Sequence, residues 1–217
     1  MQFDILTIFP KIFNSYFNES IIKRAQKNKL IKIQIHDIRH FAADKHKMVD
    51  DRPYGGGSGM VLKVEPIYKC LKSIKKKKQS KIILLTPKGK NFKQPIAKNL
   101  AKLNQLILVC GHYEGFDERI RKFVDEEISV GNYILTGGEI PAMIIVDAVT
   151  RLLPGALGDK NSAKEETFSK EENYIEYPHY TRPENFKAMK VPKVLLSGDH
   201  AKIAKWRQKH TRKRRSA

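Results

Sequence analysis

The sequence predicts an α/β protein built around a mainly parallel sheet. Short apolar runs alternate with helical patterns through residue 150, the signature of βαβ units. Two of those runs, KIILLT (81–86) and QLILVC (105–110), are continuously apolar, as strands buried on both faces are. Glycine-bearing segments follow them, at the carboxyl ends of strands where open α/β sheets take their ligands.

The elements follow in order. FDILTIF (3–9) reads as a strand that Pro10 stops. Residues 11–28 read as a helix with Ile12, Phe13, Tyr16 and Phe17 on one side. IKIQIHDI (31–38) alternates and predicts a half-buried strand; 41–60 is polar and glycine-rich, hence loop; VEPIYKCLKSI (64–74) has helical spacing. Helical patterns at 92–103 and 116–124 flank the second buried run, and EEISVGNYIL (126–135) reads as a strand running into a loop. GGEIPAMIIVDAVTRLL (137–153) predicts a strongly apolar helix, with Pro141 in its first turn. The KKKK run (75–78) reads as a solvated helix end. Beyond Pro154 the chain turns polar through 186 and reads as a linker into a second module. There VPKVLLSGDH (191–200) leads into a helix, with Ser197 and Asp199 as candidate N-caps.

Composition narrows the partners. Lys and Arg number 42 against 23 acidic residues, a net charge of +19. That surplus points to a polyanion, nucleic acid foremost; a lysine-rich drift in composition gives the same surplus with no partner. Cys70 and Cys110 are far apart and have no metal-ligand spacing, so they read as buried thiols in a reducing setting. No run approaches the roughly 18–20 apolar residues of a membrane span. MQFDILTIFP carries no basic leader. A soluble, cytoplasmic protein with no membrane partner is expected.

DDRPYGGGSGM (50–60) resembles a phosphate loop only superficially. Met60 and Val61 follow Gly59 where a P-loop needs Lys and Ser or Thr. Counted from Gly55 and Gly57, the last glycine of a dinucleotide fingerprint falls on Met60. A surface turn and a ligand wall both fit this run. TPKGK (86–90), CGHYEGFDER (110–119) and GNYILTGGE (131–139) share its character: glycine without a phosphate device, which suits an adenosine-like ligand held by backbone groups, or plain turns. Asp117 and Glu118 read as helix-start acids and Arg151 as a cation at a helix end, each with an ordinary dipole role. Glu165 and Glu166 fall in the polar linker. A non-catalytic RNA-binding protein accounts for the charge but not for these loops. A nicotinamide-dependent oxidoreductase lacks its fingerprint.

Taken together, DKHKMVDDRPYGGGSGM (44–60), VCGHYEGFDERI (109–120), ISVGNYILTGGEIPAMIIVDAVTRLLPGALG (128–158), PHYTRPENF (178–186) and VPKVLLSGDHAKIAKWR (191–207) resemble the bacterial tRNA (guanine-N1)-methyltransferases, the TrmD family, in order over most of the chain. The resemblance implies a SPOUT-type fold with a deep trefoil knot. It implies a methyltransferase domain over 1–157, a flexible linker over 158–172 and a small, shortened helical tRNA-binding domain over 173–217, whose basic tail contacts phosphate with steep salt dependence. It implies a homodimer with sites built from both chains. The activity implied is methyl transfer from S-adenosyl-L-methionine to N1 of the guanosine immediately 3′ of the anticodon (tRNA position 37), which maintains the reading frame. Mg²⁺ assistance is implied as well, although the sequence shows no metal cage.

The resemblance also distributes roles. Guanine N1 is protonated and must lose its proton while charge moves towards O6, so a base and a cation are needed on one edge. These fall on Glu166, where relatives carry aspartate, and on Arg151. The methyl-donor contacts fall on Thr86 and Pro87; on Gly111, Tyr113, Glu114 and Gly115; on Val130, Gly131, Asn132, Tyr133, Ile134 and Leu135; and on Gly137, Gly138 and Pro141. The RNA contacts fall on Asp50, Arg52, Gly55, Ser58, Gly59, His179 and Arg182. His112 replaces a frequent arginine, Asn132 a frequent aspartate and Ser58 a frequent proline.

Overall fold

A computed structural model describes residues 1–158 and 165–213. The chain divides into two compact units, Met1–Gly158 and Asp159–Ala217. In the first, the chain runs β1 (Gln2–Thr7), a short 3-10 turn, α1 (Asn14–Phe17), α2 (Ser20–Lys27), β2 (Lys32–Asp37), β3 (Asp50–Asp51) and β4 (Val61–Leu62). It continues through α3 (Val64–Ser73), β5 (Ser80–Asn91), α4 (Gln94–Leu100), β6 (Gln105–Cys110), β7 (Glu126–Ser129) and α5 (Glu139–Thr150).

Five strands form one sheet in the order β2–β1–β6–β5–β7, and every pairing is parallel. The continuous apolar runs supply the inner strands, because a central strand must present apolar groups to both faces. On one face Phe3, Ile5, Ile83, Leu85, Leu106 and Leu108 meet Ile145, Val146 and Val149 of α5. On the other, Leu6, Ile82, Leu84, Ile107 and Val109 meet Ile67, Cys70 and Leu71 of α3. Each such Ile or Leu contributes about 1.5–3 kcal/mol by leaving water.

The structure redraws several elements. Residues 11–28 are not one helix: Ser20 takes a positive φ of 48° and separates α1 from α2. Phe13 and Phe17 are buried and stacked, whereas Ile12 and Tyr16 face outward. Residues 118–123 form a 3-10 helix, started by the Asp117 side chain accepting from the Arg119 N–H at 2.9 Å. Residues 126–135 are strand to Ser129 and then loop, as expected, whereas 41–60 is not all loop but contains β3, paired antiparallel with β4. TPKGK (86–90) is strand rather than loop: β5 pairs with β7 twice, with a register shift between Leu85 and Lys90.

The second unit carries β8 (Tyr174–Ile175), the hairpin of β9 (Asn185–Phe186) and β10 (Met189–Lys190), α6 (Lys193–Leu196), α7 (His200–His210) and β11 (Arg212–Lys213), which pairs with β8. Asp199 caps α7 by accepting from the Lys202 N–H at 3.0 Å, while Ser197 instead donates to the Val194 carbonyl. Trp206 stacks on His210 at 4.0 Å. Residues 159–164 of the linker expected over 158–172, and residues 214–217 of the basic tail, lie outside the described residues.

One buried polar group stands out in the sheet. Asp4 is 1% exposed and accepts hydrogen bonds from Gln2, from Gln105 and, through Oδ1, from His36 at 2.8 Å. Burial alone would raise its pKa, but the hydrogen bonds from His36, Gln105 and Gln2 outweigh it and hold the carboxyl below 3.8. A carboxyl lowered on folding contributes stability above its unfolded pKa and loses it as pH falls through the folded one. Asp4→Asn is therefore expected to cost about 2–3 kcal/mol in urea unfolding at neutral pH, with the gap to wild type closing below about pH 4.

Candidate functional site

The middle of β5 and the carboxyl ends of β6 and β7 surround a cavity of about 400 Å³. β5 contributes Leu84, Leu85, Thr86, Pro87 and Lys88; the segment after β6 contributes Gly111 through Phe116; and the segment after β7 contributes Val130, Gly131 and Tyr133 through Gly138. Pro141 in the first turn of α5 closes the wall. Every residue expected from the resemblance to contact a methyl donor lines this cavity except Asn132. The Asn132 side chain accepts from Asn91 Nδ2 at 3.3 Å, at the end of β5.

The cavity exists because backbone segments pass closer than side chains allow. A Cβ on Gly89 would lie 2.5 Å from the Ile128 backbone nitrogen. One on Gly138 would lie 2.7 Å from Cys110 Cα, where the Gly138 N–H donates to the Gly111 carbonyl at 2.8 Å. One on Gly137 would meet Glu139 Oε2 at 2.3 Å and His112 Nδ1 at 2.8 Å. At Gly89 and Gly138 the facing atoms are backbone and leave no room for any side chain, so glycine is required there for contact and not merely for flexibility; at Gly137 the facing atoms are ends of side chains. Glu139 is itself buried, and its carboxylate accepts from the Thr7 hydroxyl at 2.7 Å at the end of β1. His112 Nδ1 is buried with no hydrogen-bond partner among the described residues.

The glycine loop 50–60 is fastened to this wall. The Glu114 N–H donates to the Met60 carbonyl at 3.0 Å, and the Leu62 N–H donates to the Gly115 carbonyl at 2.9 Å. A Cβ on Gly59 would lie 2.5 Å from Glu114 Cγ. Asp50 sits at the base of the loop in β3, paired with Leu62, and Arg52, Gly55 and Ser58 are exposed above it. None of these loop residues lines the cavity.

Arg151 lies at the carboxyl end of α5, its N–H donating to the Asp147 carbonyl at 3.1 Å. Glu166, His179 and Arg182 belong to the second unit. There the Glu166 carbonyl accepts from the Ser169 N–H at 2.9 Å, and His179 pairs with Glu176 at 3.0 Å. Glu165, the neighbouring acid, accepts from the Tyr177 hydroxyl at 3.3 Å.

Sequence reasoning missed several cavity residues: Lys88, Phe116, Glu118, Arg121, Ser129 and Thr136. Phe116 and Ser129 lie within the quoted segments 110–119 and 128–158, next to the contacts Gly115 and Val130, and could have been found there. Arg121 offered no such signal, because a 3-10 helix rather than an α-helix places it. There it pairs with Glu118 at 2.7 Å and with Glu127. Both cysteines are buried; burial pushes the Cys70 thiol up to about 12 and, with Glu139 nearby, the Cys110 thiol well above its ordinary value. Among the described residues no group of three His, Cys, Asp or Glu could hold a metal ion, and no helix is long and apolar enough to cross a membrane.

A parallel sheet with a glycine-walled cavity at its carboxyl edge defines an α/β protein of the kind that takes its ligand beside the strand ends. The chain belongs to the tRNA (guanine-1)-methyltransferase TrmD family, whose model matches residues 1–217. It is 54% identical over 214 residues to a tRNA (guanine-N(1)-)-methyltransferase of Dictyoglomus turgidum, covering 99% of this chain and 86% of the relative. A protein of the same name from Carboxydothermus hydrogenoformans is 55% identical over 97% of this chain and 83% of its own length. One from Endomicrobium trichonymphae is 50% identical over 99% of this chain and 95% of its own.

Adding one methyl group where the walls touch tests the geometry. Gly138→Ala must displace the backbone at Cys110, with an expected loss of about 1–3 kcal/mol in urea unfolding. Cys110, inert to alkylation in the folded wild type, is expected to react in this variant; labelling followed by mass spectrometry reads it.

Proposed function

We propose that this chain transfers a methyl group from S-adenosyl-L-methionine to N1 of the guanosine immediately 3′ of the tRNA anticodon, position 37, and so supports reading-frame maintenance. The observation that carries the reading is the glycine-walled cavity of about 400 Å³, found in a chain of this family. The donor supplies an electrophilic methyl on a sulfonium. The protein offers it carbonyls and N–H groups from the three strand-end segments, apolar surface from Leu85, Ile128 and Pro141, and the carboxylate of Glu114, whose charge suits a cationic ligand.

On the RNA side, Glu166 takes the N1 proton and Arg151 stabilises the charge that moves to O6. Glutamate does the work of the family's aspartate with one more methylene. Glu165, its neighbour, accepts from the Tyr177 hydroxyl at 3.3 Å. Asp50, Arg52, Gly55, Ser58, Gly59, His179 and Arg182 contact the RNA. No step is assigned to Mg²⁺, since the described residues offer no cluster to hold it. A trefoil knot over the segments after β5, β6 and β7 agrees with the double pairing of β5 with β7 and with the contacts at Gly89 and Gly138. The division into a methyltransferase domain over 1–157, a linker over 158–172 and a tRNA-binding domain over 173–217 belongs to the same reading, as does a cytoplasmic location with the tRNA pool.

The active species is a homodimer. α5 is largely apolar, yet its Ile140 and Ile144 are exposed, as are Phe9, Ile12 and Tyr16, and Tyr16 donates to Asp147 of α5. An apolar helix with a bare side requires cover. Ile144→Glu is expected to yield monomers in sedimentation velocity and to lose methyl transfer.

The direct test is methyl transfer to tRNA transcripts with and without guanosine at position 37. Glu166→Gln is expected to slow turnover by about 100-fold or more with donor binding by calorimetry unchanged. Turnover near wild type would remove Glu166 as the base.

A further inference from the structure

Tyr54 is 102% exposed, more than any other large apolar side chain among the described residues, and its ring contacts no other ring there. The local backbone puts it in that position. β3 and β4 pair at Asp50↔Leu62 and Asp51↔Val61, and the Gly56 N–H closes a turn onto the Pro53 carbonyl at 3.3 Å. Gly55 follows Tyr54 with φ of 84°, the positive value that the third residue of a type II turn requires. Tyr54 therefore occupies the second position, at the apex. The foot of the hairpin is bonded to Glu114 and Gly115, both of which line the cavity.

An aromatic ring left in water is an unused binding surface. Its surroundings say what it fits. The loop DDRPYGGGSG offers no other apolar side chain beyond Pro53, so there is no patch for a protein partner. Cations stand beside it instead. Arg52 is exposed two residues before it, and Arg119, 68% exposed in its side chain and braced by Asp117, lies within electrostatic reach of the Tyr54 hydroxyl. An exposed flat ring on a loop that also carries cations is the combination that takes an unstacked nucleobase and its phosphate.

We propose that Tyr54 is a nucleobase-stacking residue that grips an unpaired base of the RNA next to the one that reacts, with Arg52 and Arg119 on the adjoining phosphates. This rests on the tRNA methyltransferase reading and adds to it a residue that selects for an open loop. A paired base cannot offer its face, so tRNA with a single-stranded anticodon loop is favoured over a duplex.

The test uses the full-length chain with Tyr54→Ala, Tyr54→Phe and Tyr54→Trp, and a tRNA transcript carrying 2-aminopurine at single unpaired anticodon positions. Tyr54→Ala is expected to raise KM for tRNA by about 5- to 100-fold, the range that loss of one base–aromatic stack gives. Phe and Trp should stay within about 3-fold of wild type, and donor affinity should be the same in all four proteins. Quenching of 2-aminopurine at one position should appear with Tyr, Phe and Trp and vanish with Ala. Unchanged KM and quenching in Tyr54→Ala would overturn the proposal. So would a Phe variant as impaired as Ala, which would assign the effect to the hydroxyl, or a loss of donor binding in Tyr54→Ala, which would make the residue structural. If wild type quenches the probe but fails to methylate guanosine N1, stacking stands and the catalytic reading falls.

Discussion

Everything at the site depends on backbone meeting backbone where no side chain fits. Gly89 lies against Ile128, and Gly138 against Cys110 and Gly111. These contacts lock the ends of β5, β6 and β7 into one wall. Two more links tie that wall to the sheet: Glu139 at the start of α5 bonds to Thr7 at the end of β1, and β5 resumes pairing with β7 after its shift at Leu85. A backbone wall suits a nucleoside, whose polar edge demands fixed donors and acceptors that flexible side chains would hold less firmly. The same closeness makes the wall intolerant of a single added methyl group.

The glycines of 50–60 have a different use. Gly55 and Gly56 have open space around the position of a Cβ but positive φ, so conformation and not crowding selects glycine there. Gly59 combines both demands, a φ of 80° and Glu114 pressed against it. The loop is thus rigid at its foot and shaped at its tip. A hairpin of that kind can hold a side chain at a fixed distance from the cavity rim without packing it against anything.

The sequence made the central strands legible because burial on both faces leaves a pattern that nothing else in the chain copies: QLILVC and KIILLT became β6 and β5. It could not show that β5 continues through TPKGK. That pairing depends on Gly89 meeting Ile128, a contact between residues far apart in the chain. Periodicity also merged α1 and α2, since Ile12 and Tyr16 share helical spacing with Phe13 and Phe17 yet face the opposite way. Apolar character says that a residue must be covered, not which surface covers it. For the site, glycine-rich motifs located the wall, but Arg121 was invisible because its place follows from a 3-10 helix and two ion pairs.

The second unit shows the same principle in the stretch that carries the acids. The Phe168 N–H donates to the Tyr174 carbonyl, the Ser169 N–H to the Glu166 carbonyl, and the Glu176 N–H to the Thr167 hydroxyl. Phe168 accepts a φ of 67° to close the turn. Beyond it the Tyr177 ring lies under the Arg207 guanidinium at 4.9 Å while its hydroxyl holds Glu165. Residues 165–177, polar and unpatterned as sequence, are bonded to themselves. The Glu165 carboxylate has a hydroxyl partner in Tyr177, and the Glu166 backbone carbonyl closes the turn. A segment bonded to itself in this way fixes its backbone locally, without the apolar pattern that a packed helix or strand writes into the sequence.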